Sequence, residues 1–240
     1  MNLQALTLRL GDEERRAFFA VVDAVELQAN ATRPEAFLSD FELARLGALQ
    51  LPPKRQSFLL GRFAAKQALG ALLAEPDLRR IEIGTGAFGQ PLVKHPRAGN
   101  IEVTLSHSHG LAVALAYPRE WPMGVDLETV SVDAAGTVLG ELQISTAEKA
   151  WLAAATVGQA SACGVLWSAR EALGKSMKIG LNCPLGILAL SHLESAGTAY
   201  WECRYANFPQ SQCLSRATDG RILSLAMPIG IRLSDWPQLR

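Results

Sequence analysis

Two hexapeptides, far apart in this 240-residue chain, repeat each other. Ala65–Gly70 reads AKQALG and Ala169–Gly174 reads AREALG, identical at four of six positions and conservative at the other two. Alanine and leucine are common in helices, so the match is weak alone. Its setting strengthens it. Each copy lies in a helical pattern that follows an earlier helix start and precedes short strands, so the order helix, helix, strands occurs twice. This constrains the fold to an internal duplication. The expected architecture is α+β, with two similar halves about a pseudo-twofold axis, each with helices packed on a small, mainly antiparallel sheet. The halves are expected at 1–120 and 121–240, joined near Pro118 to Pro122. A site between the halves is expected, because pockets favour domain interfaces.

The first third reads as helical. SDFE at Ser39–Glu42 has the form of a capping box with Ser39 as the cap. Pro52 and Pro53 open the next helix, since proline is tolerated in a first turn. That helix, KRQSFLLGRFAAKQALGALLA, is apolar on one side and ends at Glu75-Pro76. IEI at Ile81–Ile83 is a strand, followed by the turn-rich GTGAFGQP. IEVTLSHS and LAVALAY read as a hairpin about His109-Gly110, and MGVDLE as the next strand. The plan then restarts. STAE at Ser145–Glu148 is a second capping box, opening a helix through Ala155. GVLWSAREALGKSM is a further helix, and LGILAL, AYWECRYA and RILSLAMP are strands.

Composition narrows the function. Apolar residues make up 49% of the chain, enough for a sizeable core, and the formal net charge is zero. No basic field points to nucleic acid and no acidic tail to a solvating segment. The N-terminus MNLQALTLRLGDEERR lacks the pattern of a secretory signal, and no apolar run reaches the length of a membrane span. Cys163, Cys183, Cys203 and Cys213 form no CxxC pair, which fits buried thiols in a reduced, cytoplasmic protein.

Several side chains are candidates for chemistry. On a strand, Asp126 and Glu128 share a face while Val125 and Leu127 point into the core. Two such carboxylates are a solvated strand end or the oxygen ligands of a hard divalent cation. Glu171 has three readings: the far end of a capping box SARE beginning at Ser168, an ordinary ion pair with Lys175 four residues on, or a third carboxylate of a site. His107 and His109 have the HxH spacing that zinc sites use on strands, but no third ligand stands in a motif. Arg55, Arg62 and Lys66 lie along the long helix, where Arg62 and Lys66, four apart, share a face, either as a solvated stripe or as anion contacts.

Taken in order, GR…K, G-Q-P, SHS, G-V-D-L-E and W-S-A-R-E-A…K resemble the 4'-phosphopantetheinyl transferases of the surfactin-synthetase-activating type. The similarity runs from about Leu59 to Leu185. It implies that family's two-halved fold, a monomer, and transfer of 4'-phosphopantetheine from coenzyme A to a serine of an apo acyl or peptidyl carrier protein. It further implies Asp126, Glu128 and Glu171 as magnesium ligands, with Glu171 as the base for the serine proton. Lys175 would contact the pyrophosphate, Ser106 and His107 the nucleotide end, and Arg55 and Arg62 would be looser anion contacts. Gln90 stands where members of the family commonly carry the lysine of G-K-P, so one cationic contact to coenzyme A is missing. Two rival readings stay open: a metal-dependent phosphohydrolase using His107, His109, Asp126 and Glu128, and a degenerate domain that binds nucleotide or protein.

Overall fold

The structure is a computed structural model that describes residues 2–30, 33–130, 143–155, 158–195 and 200–239. The chain divides into two compact units, one of Met1–Pro122 with Gly230–Arg240, the other of Met123–Ile229. The first unit opens with a β-hairpin where the sequence reading expected helix. Strands β1 (Asn2–Leu10) and β2 (Glu13–Asp23) flank a two-residue turn at Gly11-Asp12. The physical reason is visible in the sequence: Leu6, Leu8 and Leu10 alternate with Thr7 and Arg9, a period of two. Gly11 supplies the positive φ of 59° that a tight turn needs.

The short helix α1 (Ala24–Asn30) leads to α2 (Asp40–Ala48) and the long α3 (Pro52–Leu73). Ser39 caps α2 in a complete capping box with Glu42, and Pro52 and Pro53 start α3, both as expected. Strands β3 (Glu82–Thr85) and β4 (Pro91–Lys94) form a small ribbon. The strands β5 (Ile101–Ser108) and β6 (Leu111–Pro118) form the expected hairpin about His109-Gly110, with Ser108 opposite Leu111. Strand β6 continues onto β2, so α3 lies over a central sheet and buries Leu60, Phe63, Ala64 and Leu69 in its core.

The second unit repeats this plan. The strand β7 (Gly124–Thr129) is followed by α4 (Thr146–Ala154), capped by Ser145 with Glu148, and by α5 (Gln159–Ser176). A sheet in the order β7-β11-β10-β9-β8 completes it, from β8 (Leu190–Ser195), β9 (Tyr200–Tyr205), β10 (Ser211–Thr218) and β11 (Arg221–Pro228). Strand β10 is absent from the sequence reading. Its residues Ser211, Cys213 and Ser215 are buried but small, and two are polar, so the usual apolar alternation is muted. LGIL is a 3-10 turn, and the strand starts only at Leu190. The strand read from Ala199 runs from Tyr200; Ala199 lies outside the described residues.

The chain end departs from the expected boundary at 121–240. Gly230–Arg240 belongs to the first unit, where β12 (Arg232–Leu233) pairs with β1. Among the described residues, no helix is long and apolar enough to cross a membrane.

Candidate active site

Both units fasten their long helix with one device. In the first, the capping-box residue Glu42 is fully buried and meets Lys66 of AKQALG at 2.5 Å. In the second, the capping-box residue Glu148 accepts two hydrogen bonds at 2.6 Å from Nη2 of Arg170 in AREALG. Each glutamate also accepts a strand N–H, from Ile83 at 3.3 Å and from Leu190 at 2.9 Å. The carboxylate thus ties a helix start, the long helix and a strand together. Burial alone would raise the Glu148 carboxyl. Arg170 and the N–H groups of Leu190 and Ser145 outweigh it and hold the group below its ordinary range. This anchor sets the position of α5.

The face of α5 beyond the anchor carries Trp167, Glu171 and Lys175, one helical row at i, i+4 and i+8. It runs along β7, whose Gly124, Asp126 and Glu128 share one side of the strand. Helix and strand approach closely at Gly124, where a Cβ would run into the carbonyl oxygen of Ala172. Trp167 Nε1 donates to Glu128 Oε1 at 3.1 Å, and Lys175 Nζ donates to Asp126 Oδ1 at 2.6 Å. Glu171 lies between these contacts, its Oε2 3.6 Å from Lys175 Nζ. One oxygen from each of Asp126, Glu128 and Glu171 lies within 4.8 Å of the others.

This side of β7 is the helix-covered side, not a solvated one. Asp126 is 1% exposed. Its cross-strand partner Ser224 and the partner Ile222 of Glu128 lie under α5 with it. Val125 and Leu127 are also buried, but on the opposite face, with Leu225 and Leu223 as partners. Ser168 falls inside α5, whose N-cap is Gly158, so SARE is not a capping box.

Three acids under a helix repel one another. Burial, followed by the charge of Asp126, raises the Glu128 carboxyl to about 7, against the Trp167 hydrogen bond and Lys175. Burial and Asp126 raise Glu171 to about 7 as well, with Lys175 opposing. Burial would depress the Lys175 ammonium, but Asp126 and Glu171 more than compensate and its pKa is raised. An all-oxygen set of three carboxylates suits a hard divalent cation such as magnesium.

The other expected contacts are dispersed. Arg55 donates to the carbonyls of Leu46 at 2.6 Å and Leu49 at 3.3 Å, and so braces the end of α2. The amide oxygen of Gln90 accepts from the N–H of Phe88 at 2.9 Å within its own turn. His107 and Arg62 do come together, lining a cavity of about 390 Å³ with Lys54, Ser57 and Phe58. Arg62 stacks on Phe58, 5.0 Å from the ring centroid, and its Nε stands 3.5 Å from Glu42. Ser106 neighbours His107 on β5, so its side chain points to the opposite face, where it is buried. His109 sits in the hairpin turn at φ 44°. Among the described residues, neither His107 nor His109 joins a group of three metal-ligand side chains.

Sequence reasoning missed Trp167, Arg170 and Lys54. Trp167 and Arg170 lie inside the quoted WSAREA fragment. The signal for Trp167 was its place in the row with Glu171 and Lys175.

The first unit has the frame without the acids. Ala20 and Val22 of β2 pair with Ala114 and Ala112, as Asp126 and Glu128 pair with Ser224 and Ile222. The repeated hexapeptide sets Gln67 and Ala71 where Glu171 and Lys175 stand.

Fold and site together define a duplicated α+β protein with a carboxylate and lysine centre suited to phosphate chemistry. No family model matches the chain. It is 37% identical over 109 residues to a holo-acyl-carrier-protein synthase of Lactococcus lactis, a match covering 39% of this chain and 89% of the relative. A synthase of the same name from Geobacillus kaustophilus is 37% identical over 95 residues, covering 37% and 72%. Among solved structures, the Helicobacter pylori holo-acyl-carrier-protein synthase in complex with coenzyme A is similar with a TM-score of 0.34 at 21% identity, covering 42% of this chain and 96% of that one. The Bacillus anthracis enzyme gives a TM-score of 0.37 at 19% identity, covering 48% and 96%. The chain belongs to the holo-acyl-carrier-protein synthases, within the 4'-phosphopantetheinyl transferase superfamily.

Proposed function

We propose that this enzyme transfers 4'-phosphopantetheine from coenzyme A to a serine of an apo acyl or peptidyl carrier protein, in a magnesium-dependent reaction. The observation that carries the reading is the cluster of Asp126, Glu128, Glu171 and Lys175 on one helix and strand, in a chain of this family. The two-unit plan favours the surfactin-synthetase-activating type within the superfamily.

Asp126, Glu128 and Glu171 would hold magnesium, which supplies charge neutralisation on the pyrophosphate oxygens when bound. The serine oxygen attacks the β-phosphorus, and the bond to the leaving adenosine 3',5'-bisphosphate breaks. Glu171 takes the serine proton, directly or through a water. Lys175, released from Asp126, pairs with the leaving phosphate. Arg62 and His107 are proposed for the 3'-phosphate end of the donor, with Lys54 beside them. Arg55 is bonded to the end of α2, Gln90 is bonded within its own turn and Ser106 lies on the face of β5 opposite His107, so the three take no part in this reading.

The test is incubation with coenzyme A, magnesium and a panel of apo carrier proteins, read by intact mass. A phosphopantetheine increment is expected on the carrier. Hydrolysis of coenzyme A without carrier modification would favour a phosphohydrolase instead. His107 has its own test. Hydrogen bonds to charged groups contribute about 1.5–3 kcal/mol, or roughly 10- to 150-fold in affinity. His107→Ala should lose about that factor in kcat/KM with coenzyme A and almost nothing with dephospho-coenzyme A. Equal losses with both donors would make His107 a structural residue.

A further inference from the structure

We infer that Trp167 is a positioning residue for the carboxylate centre, its indole N–H holding Glu128 turned toward Asp126 and Glu171. The inference rests on the metal reading of those carboxylates. Glu128 is only half buried, one residue from the end of β7. Asp126 and Glu171 both carry like charge, so electrostatics alone would swing the Glu128 side chain away from them. The contact that opposes this swing is the 3.1 Å hydrogen bond from Trp167 Nε1.

Indole is suited to this role. It is a donor only, so it bonds carboxylate oxygen without ambiguity. It is neutral, so it orients the ligand without supplying the positive charge that a metal would bring. Lys175 is also a donor only but is charged, so it neutralises Asp126 and competes with a metal for the same oxygens. Trp167 also packs against the core under α5, one helical turn before Glu171. The ring therefore cannot follow Glu128 outward. Both strand acids are met from the same helical row: Glu128 by Trp167, Asp126 by Lys175.

The test titrates Mn2+ into the full-length protein without donor, reading free Mn2+ by electron paramagnetic resonance. Trp167→Phe keeps an aromatic ring and deletes the N–H. Removing the hydrogen-bond partner of a metal ligand costs about 10- to 100-fold in metal affinity. That loss is expected in Trp167→Phe, with little change in Tm. In a Glu128→Gln background the same substitution should cost nothing further, because the group it orients is gone. Bound Mn2+ should also quench part of the wild-type tryptophan emission, a readout that needs no variant, and that part should be missing in Trp167→Phe at saturating Mn2+. Equal Mn2+ affinity in wild type and Trp167→Phe would overturn the inference, as would an undiminished loss in the Glu128→Gln background or an unquenched wild type that binds Mn2+. A wild-type protein that binds no Mn2+ would overturn the metal reading itself.

Discussion

Glu171 has lost one of its rival explanations and kept a compatible one. It is no cap, because α5 starts well before Ser168, yet it still pairs with Lys175 at 3.6 Å. Glu171→Gln should therefore fold with unchanged or raised Tm, since it removes a charge that its neighbours repel. Turnover should fall by about two to four orders of magnitude, the usual contribution of a general base. Carrier modification near the wild-type rate would remove Glu171 from the mechanism. The raised glutamates also set a pH dependence. Glu128 and Glu171 move from an ordinary 4.5 to about 7 in the folded protein. Folding then favours their protonated forms, so this contribution is complete below about 4.5 and is lost as pH rises toward 7. The metal-free protein should melt lower at pH 8 than at pH 5, and added magnesium should reduce the difference. Magnesium must displace those protons, so its affinity should weaken about tenfold or more from pH 8 to pH 6. Calorimetric titration at the two pH values checks this, and a pH-independent affinity would contradict it.

At the scale of elements, two features hold α5 against β7. Gly124 admits the helix backbone, and Gly124→Ala must push it away from Ala172. Overpacking a tight contact costs about 1–3 kcal/mol, and here it would also separate Asp126 from Lys175. A fall in Tm together with loss of activity is expected; an active, equally stable Gly124→Ala would show that the contact is slack. The second feature is the Glu148–Arg170 anchor. Removing one partner of a buried ion pair leaves the other charged and unpaired, at about 3–5 kcal/mol. Glu148→Ala should lose that much in urea unfolding. Because Glu148 is held below its ordinary range when folded, its contribution is present above about 4.5 and disappears as pH falls further. Wild type and Glu148→Ala should therefore converge in stability toward low pH.

For the whole molecule, the duplication is one of frame, not of chemistry. The first unit keeps the capped α2, the buried Glu42–Lys66 pair and the α3-covered sheet. Ala20, Val22, Gln67 and Ala71 replace its would-be acids and lysine. One divalent ion per chain is expected at saturation, measured by equilibrium dialysis with Mn2+. Two tight sites would contradict the assignment of the centre to the second unit.

Much of this was legible in the residues. The hexapeptide repeat, the two S-x-x-E caps and the hairpin at His109-Gly110 are local patterns, since capping and tight turns are decided by a few neighbouring residues. The acid and lysine motifs marked their own positions for the same reason, because Glu171 and Lys175 meet through helical spacing alone. The N-terminal hairpin was readable too, from the alternation at Leu6, Leu8 and Leu10 and the Gly11-Asp12 turn, but it was missed. Strand β10 was not readable, because its buried positions are two serines, a glutamine and a cysteine whose burial follows from pairing with β9 and β11. Which face of β7 carries the acids under α5, the Trp167 contact to Glu128 and the separation of Ser106 from His107 were tertiary outcomes. A strand's period of two says which side chains share a face, but not which face the helix will cover. That choice is made by packing, here by the close approach at Gly124 and the anchor between Glu148 and Arg170.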